Sequence, residues 1–172
     1  MPTVEEYAKQ PFEARLARMA LTPDELGAAI HDQSDAVLSR RPDPKNWAAK
    51  EVICHLRDTE EVFFMRFHAI VENDELKMYF HPDAAERFAE DRQYYRSDGR
   101  EALAAFRRKR DETLKFLGTL TPAQRQRAGI RGDRRITIDE FVSVMAWHDD
   151  NHLDQLKRAL EGRPDGREKY RR

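Results

Sequence analysis

The stretch ITIDEFVSVMAWHDDNHLDQL, residues 136–156, predicts the last long helix of the protein and places two histidines on its inner face. From Phe141 onward, apolar side chains recur at helical spacing, and the same line continues through His148 and His152. Residues four apart lie one above the other on a helix. Both imidazoles are therefore predicted to point toward the core, which is unusual for a protein with only six histidines.

Similar patterns divide the rest of the chain into helices. Capping-box sequences, prolines in first turns and glycines after last turns mark the predicted bounds. Four long helices are predicted. The first begins with TPDE and covers residues 22 to about 39. The others cover 47 to about 72, 98 to about 118 and 137 to about 161. A brief helix is predicted at 121, and AGIRGDRRIT, 128–137, is predicted to be a loop or short extended piece. The fold class is all-α, a four-helix bundle with short extra helices and a long connection, 73–97, between the second and third main helices.

Length and charge limit the class of protein. A chain of 172 residues fits one domain, with an N-terminal extension over about 1–20 and a flexible tail over about 163–172. Charged residues make up 37% of the chain but their net charge is only −1, so a nucleic-acid surface is not expected. The basic runs 107–112 and 166–172 are predicted to be a solvated helix face and a frayed end.

Membrane association is not expected either, since no run of about 18 apolar residues is present and the N-terminus is too acidic for a signal peptide. A lone cysteine, Cys54, agrees with a reducing compartment, and we expect a cytoplasmic protein. Cys54 is predicted to be a small buried thiol, neither a ligand nor a nucleophile, because it points about 100° away from its neighbour His55.

A third histidine completes a possible metal site. His55 occupies an inward position on the second helix, so it can meet His148 and His152 inside the bundle. Three imidazoles bind divalent ions such as Zn²⁺, Ni²⁺ or Fe²⁺ and leave a coordination position open. The alternative is a metal-free core in which all three are hydrogen-bonded. The remaining histidines, which are predicted to be solvated or structural, are His31, His68 and His81.

Several polar residues near these histidines are candidates for supporting roles. Asp58, Asp150 and Gln155 could accept the second N–H of a ligand imidazole. Arg66 lies farther along the inward line and could hold an anionic substrate group. Asp149 occupies the glutamate position of an H-E-x-x-H motif and could be a general base, although we expect it to face away from the site. The alternative for each is a structural ion pair.

Two segments resemble the DinB-like family of damage-inducible proteins, within the group that includes bacillithiol transferases and mycothiol-dependent maleylpyruvate isomerases. They are RPDPKNWAAKEVICHLRDTEEVFFMRF, 41–67, and the 136–156 stretch, and the likeness extends over about 22–161. The resemblance implies a four-helix bundle, often a homodimer, with a divalent metal held by His55, His148 and His152. Many relatives have a serine where this chain has Ala48, so an N-cap is expected to be missing.

Two classes of function follow. The first is a divalent-metal-dependent enzyme whose open position activates water or a thiolate, for hydrolysis or for transfer of a low-molecular-weight thiol to a small electrophile. A reacting thiol would then come from the substrate. The alternative is a non-catalytic, stress-associated metal-binding or scaffold protein that uses its bundle as a dimer face.

Overall fold

The computed structural model describes residues 1–79, 81 and 83–164 and is mostly helical, which confirms the all-α prediction. Its elements, in chain order, are α1 (Val4–Ala8), α2 (Phe12–Ile30), α3 (Asp35–Ser39), α4 (Ala49–Glu72), β1 (Leu76–Lys77), α5 (Ala84–Asp91), a 3₁₀ turn (Tyr94–Arg96), α6 (Gly99–Thr119), α7 (Pro122–Arg125), β2 (Ala128–Arg131), β3 (Arg134–Thr137) and α8 (Ile138–Leu160).

Four long helices, α2, α4, α6 and α8, form the bundle. Helix α4 packs between α6 and α8, and α2 packs between the same two helices on the opposite side. Helix α1 lies against α8. No helix within the described ranges is long and apolar enough to cross a membrane.

The predicted start of the first long helix is wrong. Helix α2 begins ten residues before Thr22, and Pro23 lies inside it. Thr22 is not an N-cap, because its hydroxyl donates to Asp149 at 2.7 Å. The helix ends at Ile30, and the residues predicted to continue it form the separate helix α3, capped by Ser34.

Residues 1–20 are not an extension. They form α1 and the first part of α2, and they bury Tyr7, Phe12 and Met19 in the core. The predicted tail falls mainly on 165–172, as does the basic run at 166–172, and these positions lie outside the described residues.

The other helix ends agree with their capping patterns. Asp98 caps α6, Thr121 caps α7, and Thr137 with Glu140 caps α8. Gly162, with φ of 72°, follows the end of α8. Ala48 lacks a capping side chain as expected, and the Glu51 carboxylate accepts a hydrogen bond from the Ala48 N–H at 2.9 Å.

A small sheet was only partly predicted. Strands β2 and β3 pair antiparallel as a hairpin that leads directly into α8, and β1 pairs parallel with β2. The connection 73–97 therefore starts on this sheet. It returns to the bundle through Tyr94, which is fully buried, and it packs against α4.

The apolar core is divided into two clusters, one at each end of the bundle. Each main helix contributes to both of them. The first cluster includes Leu26, Leu56, Phe106 and Leu156, and the second includes Met19, Phe63, Leu117 and Met145.

Between the two clusters lies a central polar layer, which we define as Thr22, Glu60, Arg110 and Asp149, one residue from each main helix. All four are 1% exposed or less. Arg110 donates to Glu60 at 2.9 Å and to both carboxylate oxygens of Asp149. Burial of charged groups is costly unless they are paired and hydrogen-bonded, so this layer depends on its own internal bonds.

Candidate metal centre

Three histidines converge beside the central polar layer, as the sequence predicted. One ring nitrogen from each of His55, His148 and His152 lies within 4.8 Å of the others. The Nε2 atoms of His55 and His148 are 3.2 Å apart. His55 is buried at 8% exposure, and the other two are half-buried. His148 and His152 are therefore the more exposed members of the cluster.

Two helices hold this cluster in place. His55 comes from the second turn of α4, whereas His148 and His152 occupy successive turns of α8. Nδ1 of His152 lies 2.7 Å from the amide oxygen of Gln155. The predicted contact between Gln155 and a ligand histidine is thus present in the structure. If the amide oxygen accepts, Nδ1 carries the proton and Nε2 keeps its lone pair.

An aromatic wall borders the cluster. The ring of Trp47 lies 5.1 Å from the ring of His55, and it also contacts the buried Tyr94 at 6.2 Å. Thr59 lies one turn after His55, with its hydroxyl 3.4 Å from Nε2. The histidines are thus flanked by one large aromatic ring and one small hydroxyl group.

Burial holds two of the imidazoles in the neutral form. Desolvation lowers the pKa of His55 well below its usual value, and the nearby His152 lowers it further. The pKa of His148 is lowered for the same reason, with added repulsion from His152, His55 and Arg110. Both rings are therefore neutral near pH 7, and neutral imidazole is the form that binds metal ions.

The arrangement fits a divalent cation. Two nitrogens bound to one tetrahedral ion at about 2.05 Å would lie roughly 3.3 Å apart. The 3.2 Å separation of the His55 and His148 Nε2 atoms is close to this value. Two nitrogen lone pairs at that distance repel each other unless a proton or a cation lies between them. Among the described residues the group holds three imidazoles and no fourth ligand, and three imidazoles are typical of a site that keeps a position open.

Two predicted supporting residues have other partners. Asp58 is buried, but it accepts hydrogen bonds from Tyr94 at 2.7 Å and from Arg57 and Arg92 rather than from His55. Asp150 accepts from Tyr7 at 2.5 Å and from Arg18, which places it toward α1 and α2. Neither carboxylate orients a ligand imidazole, because nearer cationic or hydroxyl donors use their oxygens.

The guanidinium of Arg66 packs over the ring of Phe63 at 5.7 Å. Burial lowers the pKa of Arg66, and the charge of Arg131 lowers it further. This contact places Arg66 next to the second apolar cluster, to which Phe63 belongs.

Asp149 is turned to the central polar layer, where Thr22 and Arg110 use its oxygens. This agrees with the expectation that it does not act beside the metal as the H-E-x-x-H glutamate would. The resemblance to an H-E-x-x-H motif therefore does not indicate a general base at Asp149. An aspartate paired by a buried arginine is not free to accept a proton.

Sequence reasoning missed Glu60 and Arg110. The basic run 107–112 was predicted to be a solvated face, yet Arg110 is 1% exposed. A signal was present, because the charged residues continue apolar stripes at spacings of three and four. The stripes are Leu56, Glu60, Phe63 and Phe67 on α4, Phe106, Arg110, Thr113 and Leu117 on α6, and Ala146, Asp149, Leu153 and Leu156 on α8.

The remaining candidate residues lie outside the cluster. Cys54 is fully buried, and burial raises the pKa of its thiol, in agreement with a core role. His31 is exposed, while His68 stacks on Phe116 with ring centroids 3.8 Å apart. Neither belongs to the group that could hold a metal ion.

Comparisons with known proteins agree with this fold. In a search of solved structures, the chain is similar to YfiT from Bacillus subtilis, described as a probable metal-dependent hydrolase with an unusual four-helix bundle topology. The TM-score is 0.79 at 18% identity, and the match covers 94% of this chain and 89% of YfiT. No curated protein sequence matches the chain. The family model of the DinB superfamily matches residues 18–156, and the chain belongs to that superfamily.

Proposed function

We propose that the protein is a divalent-metal-dependent hydrolase of small molecules, with the metal held by His55, His148 and His152. The convergence of their ring nitrogens within 4.8 Å is the observation that carries the proposal. The description of YfiT as a probable metal-dependent hydrolase supports it. Zn²⁺, Ni²⁺ and Fe²⁺ all suit imidazole ligands, so the donor set leaves the choice among them open.

The protein groups around the cluster have separate tasks in this proposal. Gln155 fixes the ring of His152, and burial keeps His55 and His148 neutral. Trp47 forms a flat apolar wall beside His55 against which a substrate can pack. When bound, a divalent metal lowers the pKa of a water ligand enough to provide a nucleophile near neutral pH.

Thiol transfer is the second candidate reaction at the same centre. The chain has one cysteine, and Cys54 is buried in the core with a raised pKa. A thiol that reacts here must therefore be brought by the substrate, as in the transfer of a low-molecular-weight thiol to an electrophile. Such a molecule would approach from the side of His148 and His152, the two half-buried members of the cluster.

The first experiment is to measure metal content by plasma mass spectrometry in untagged protein purified without chelator. We expect close to one metal ion per chain in the wild type and in a His31→Ala control, which changes an exposed histidine. His152→Ala should lose the metal. A wild type that takes up no Zn²⁺, Ni²⁺ or Fe²⁺ even after incubation would overturn the proposal.

Activity is then tested with the metal-loaded wild type and with His152→Ala. The substrates are a panel of small esters, amides and phosphoesters, together with a small thiol paired with an electrophile. Hydrolysis that requires the intact histidines supports the first reaction, and conjugate formation supports the second. If neither reaction occurs and the spectrum of the Co²⁺-substituted protein does not respond to small anions or thiols, the metal is structural and the non-catalytic alternative is correct.

A further inference from the structure

The central polar layer contains more negative than positive charge. Glu60 and Asp149 contribute two carboxylates and Arg110 contributes one guanidinium, so the formal sum is −2 + 1 = −1. All three side chains are 1% exposed. A buried excess charge is unfavourable unless an opposite charge lies nearby, and the low dielectric constant of the interior extends the reach of that charge.

Of the two carboxylates, Glu60 is the one with an oxygen that accepts no hydrogen bond from the described residues. Asp149 uses both oxygens, which accept from Thr22 and from Arg110. Glu60 uses only Oε2, at 2.9 Å from Arg110 Nη2. Its Oε1 atom is buried and has no hydrogen-bond partner among the described residues.

The layer and the histidine cluster are adjacent. His148 lines one small cavity together with Thr59 and the three charged residues of the layer. A cation held by the histidines would therefore lie next to the excess negative charge.

We propose that Glu60, held by Arg110, is a positioning residue of the metal centre that acts as an internal counter-charge and strengthens the binding of a divalent cation by the three histidines. This rests on the proposed metal site. Glu60 is not a metal ligand in the proposal, because its carboxylate is hydrogen-bonded to Arg110. It acts through the field that it sets up at the cluster.

The experiment compares Zn²⁺ affinity, measured by competition with a chromophoric chelator, in the wild type, Glu60→Gln and Glu60→Asp. Glutamine keeps the size and the acceptor for Arg110 but removes the charge. We expect about 10–100-fold weaker binding in Glu60→Gln, the range seen when groups outside the ligand shell are changed. Glu60→Asp, which keeps the charge, should stay within a few-fold of the wild type.

Asp150→Asn is the matched control. It removes a carboxylate from α8 next to Asp149, but Asp150 is bonded to Tyr7 and Arg18, which lie outside the central polar layer. Its effect on affinity should be small, because its charge is already paired with that of Arg18. The loss in Glu60→Gln should persist in 1 M salt, where the screening length is about 3 Å, because buried charges are screened much less.

A wild type that binds no metal would overturn the proposed function together with this inference. A wild type that binds zinc while folded Glu60→Gln binds it equally well would overturn only the role of Glu60. If Glu60→Gln does not fold, the carboxyl carbon of Glu60 is observed by ¹³C NMR in the zinc-loaded wild type at pH 7. An ionised carboxylate supports the proposal, and a protonated one overturns it.

Discussion

Arg110 donates a hydrogen bond to the main-chain carbonyl of Met19, at 2.8 Å from its oxygen. In a regular helix this carbonyl would accept from the N–H of residue 23, but that residue is proline and has no N–H. A side chain from α6 therefore fills a gap in the backbone hydrogen bonding of α2. The same guanidinium also joins Glu60 and Asp149.

Replacement of Arg110 by methionine should destabilise the protein by about 3–5 kcal/mol, because two buried carboxylates lose their partner. In a Pro23→Ala background the same change should cost about 1 kcal/mol less, since the introduced alanine supplies the missing N–H to the Met19 carbonyl. Urea unfolding of the four proteins measures both values. Arg108→Met, at an exposed position of the same basic run, should change stability by less than about 0.5 kcal/mol. Equal costs of Arg110→Met in the two backgrounds would disprove the coupling.

Tyr94→Phe should destabilise the protein by about 1–3 kcal/mol. The Tyr94 hydroxyl donates to the buried Asp58 at 2.7 Å and ties the connection 73–97 to α4, so its loss leaves a buried carboxylate short of a donor. The neighbouring Tyr95 is 49% exposed, and Tyr95→Phe is the matched control. Thermal and urea unfolding should separate the two variants. If they unfold alike, Asp58 does not depend on Tyr94.

Periodicity was sufficient to predict α4, and capping together with periodicity predicted α6 and α8, because these signals are local. The start of α2 was not predictable in this way. TPDE meets the local rule for a helix start, yet Phe12 and Met19 pack in the core and extend the helix backward. Pro23 is accommodated inside that helix because Arg110, 87 positions later, satisfies the carbonyl that it leaves open. A partner so distant in sequence cannot be inferred from the pattern around the proline.

The histidine cluster was largely predictable, since the spacing of His148 and His152 puts both on one face and His55 lies on an inward face of another helix. Their supporting residues were harder to assign. Charged residues such as Glu60 and Arg110 are usually solvated, so periodicity alone does not identify them as buried. Asp58 and Asp150 are close to the histidines in sequence but bind arginines and tyrosines from other elements.

Stability of the metal-free protein should fall as pH decreases from about 6.5 to 5. The pKa values of His55 and His148 are lowered in the folded state, so the unfolded chain binds protons first and acid favours unfolding. Each imidazole contributes up to about 1.4 kcal/mol per pH unit to the fall in the free energy of unfolding in this range.

Urea unfolding at several pH values measures how steeply the free energy of unfolding changes with pH, and this slope should be smaller for His55→Gln than for the wild type. His31→Gln, at an exposed site, should keep the wild-type slope. A slope that is unchanged in His55→Gln would contradict the neutral, buried state of that ring.

The contact between His152 and Gln155 predicts opposite results for two substitutions of similar size. An acceptor at 2.7 Å from Nδ1 favours the tautomer whose Nε2 can bind a metal ion. Gln155→Leu removes the acceptor and should weaken Zn²⁺ binding about 10–100-fold. An ionised glutamate at this position can only accept a hydrogen bond, so Gln155→Glu should bind Zn²⁺ at least as tightly as the wild type.

Chelator competition measures both affinities, and ¹⁵N NMR of the His152 ring reports the tautomer in the metal-free protein. Tight binding by Gln155→Leu together with an unchanged tautomer would show that the helix alone orients His152. Weak binding by Gln155→Glu would contradict the prediction, because it would show that an acceptor beside Nδ1 does not help His152 to act as a ligand.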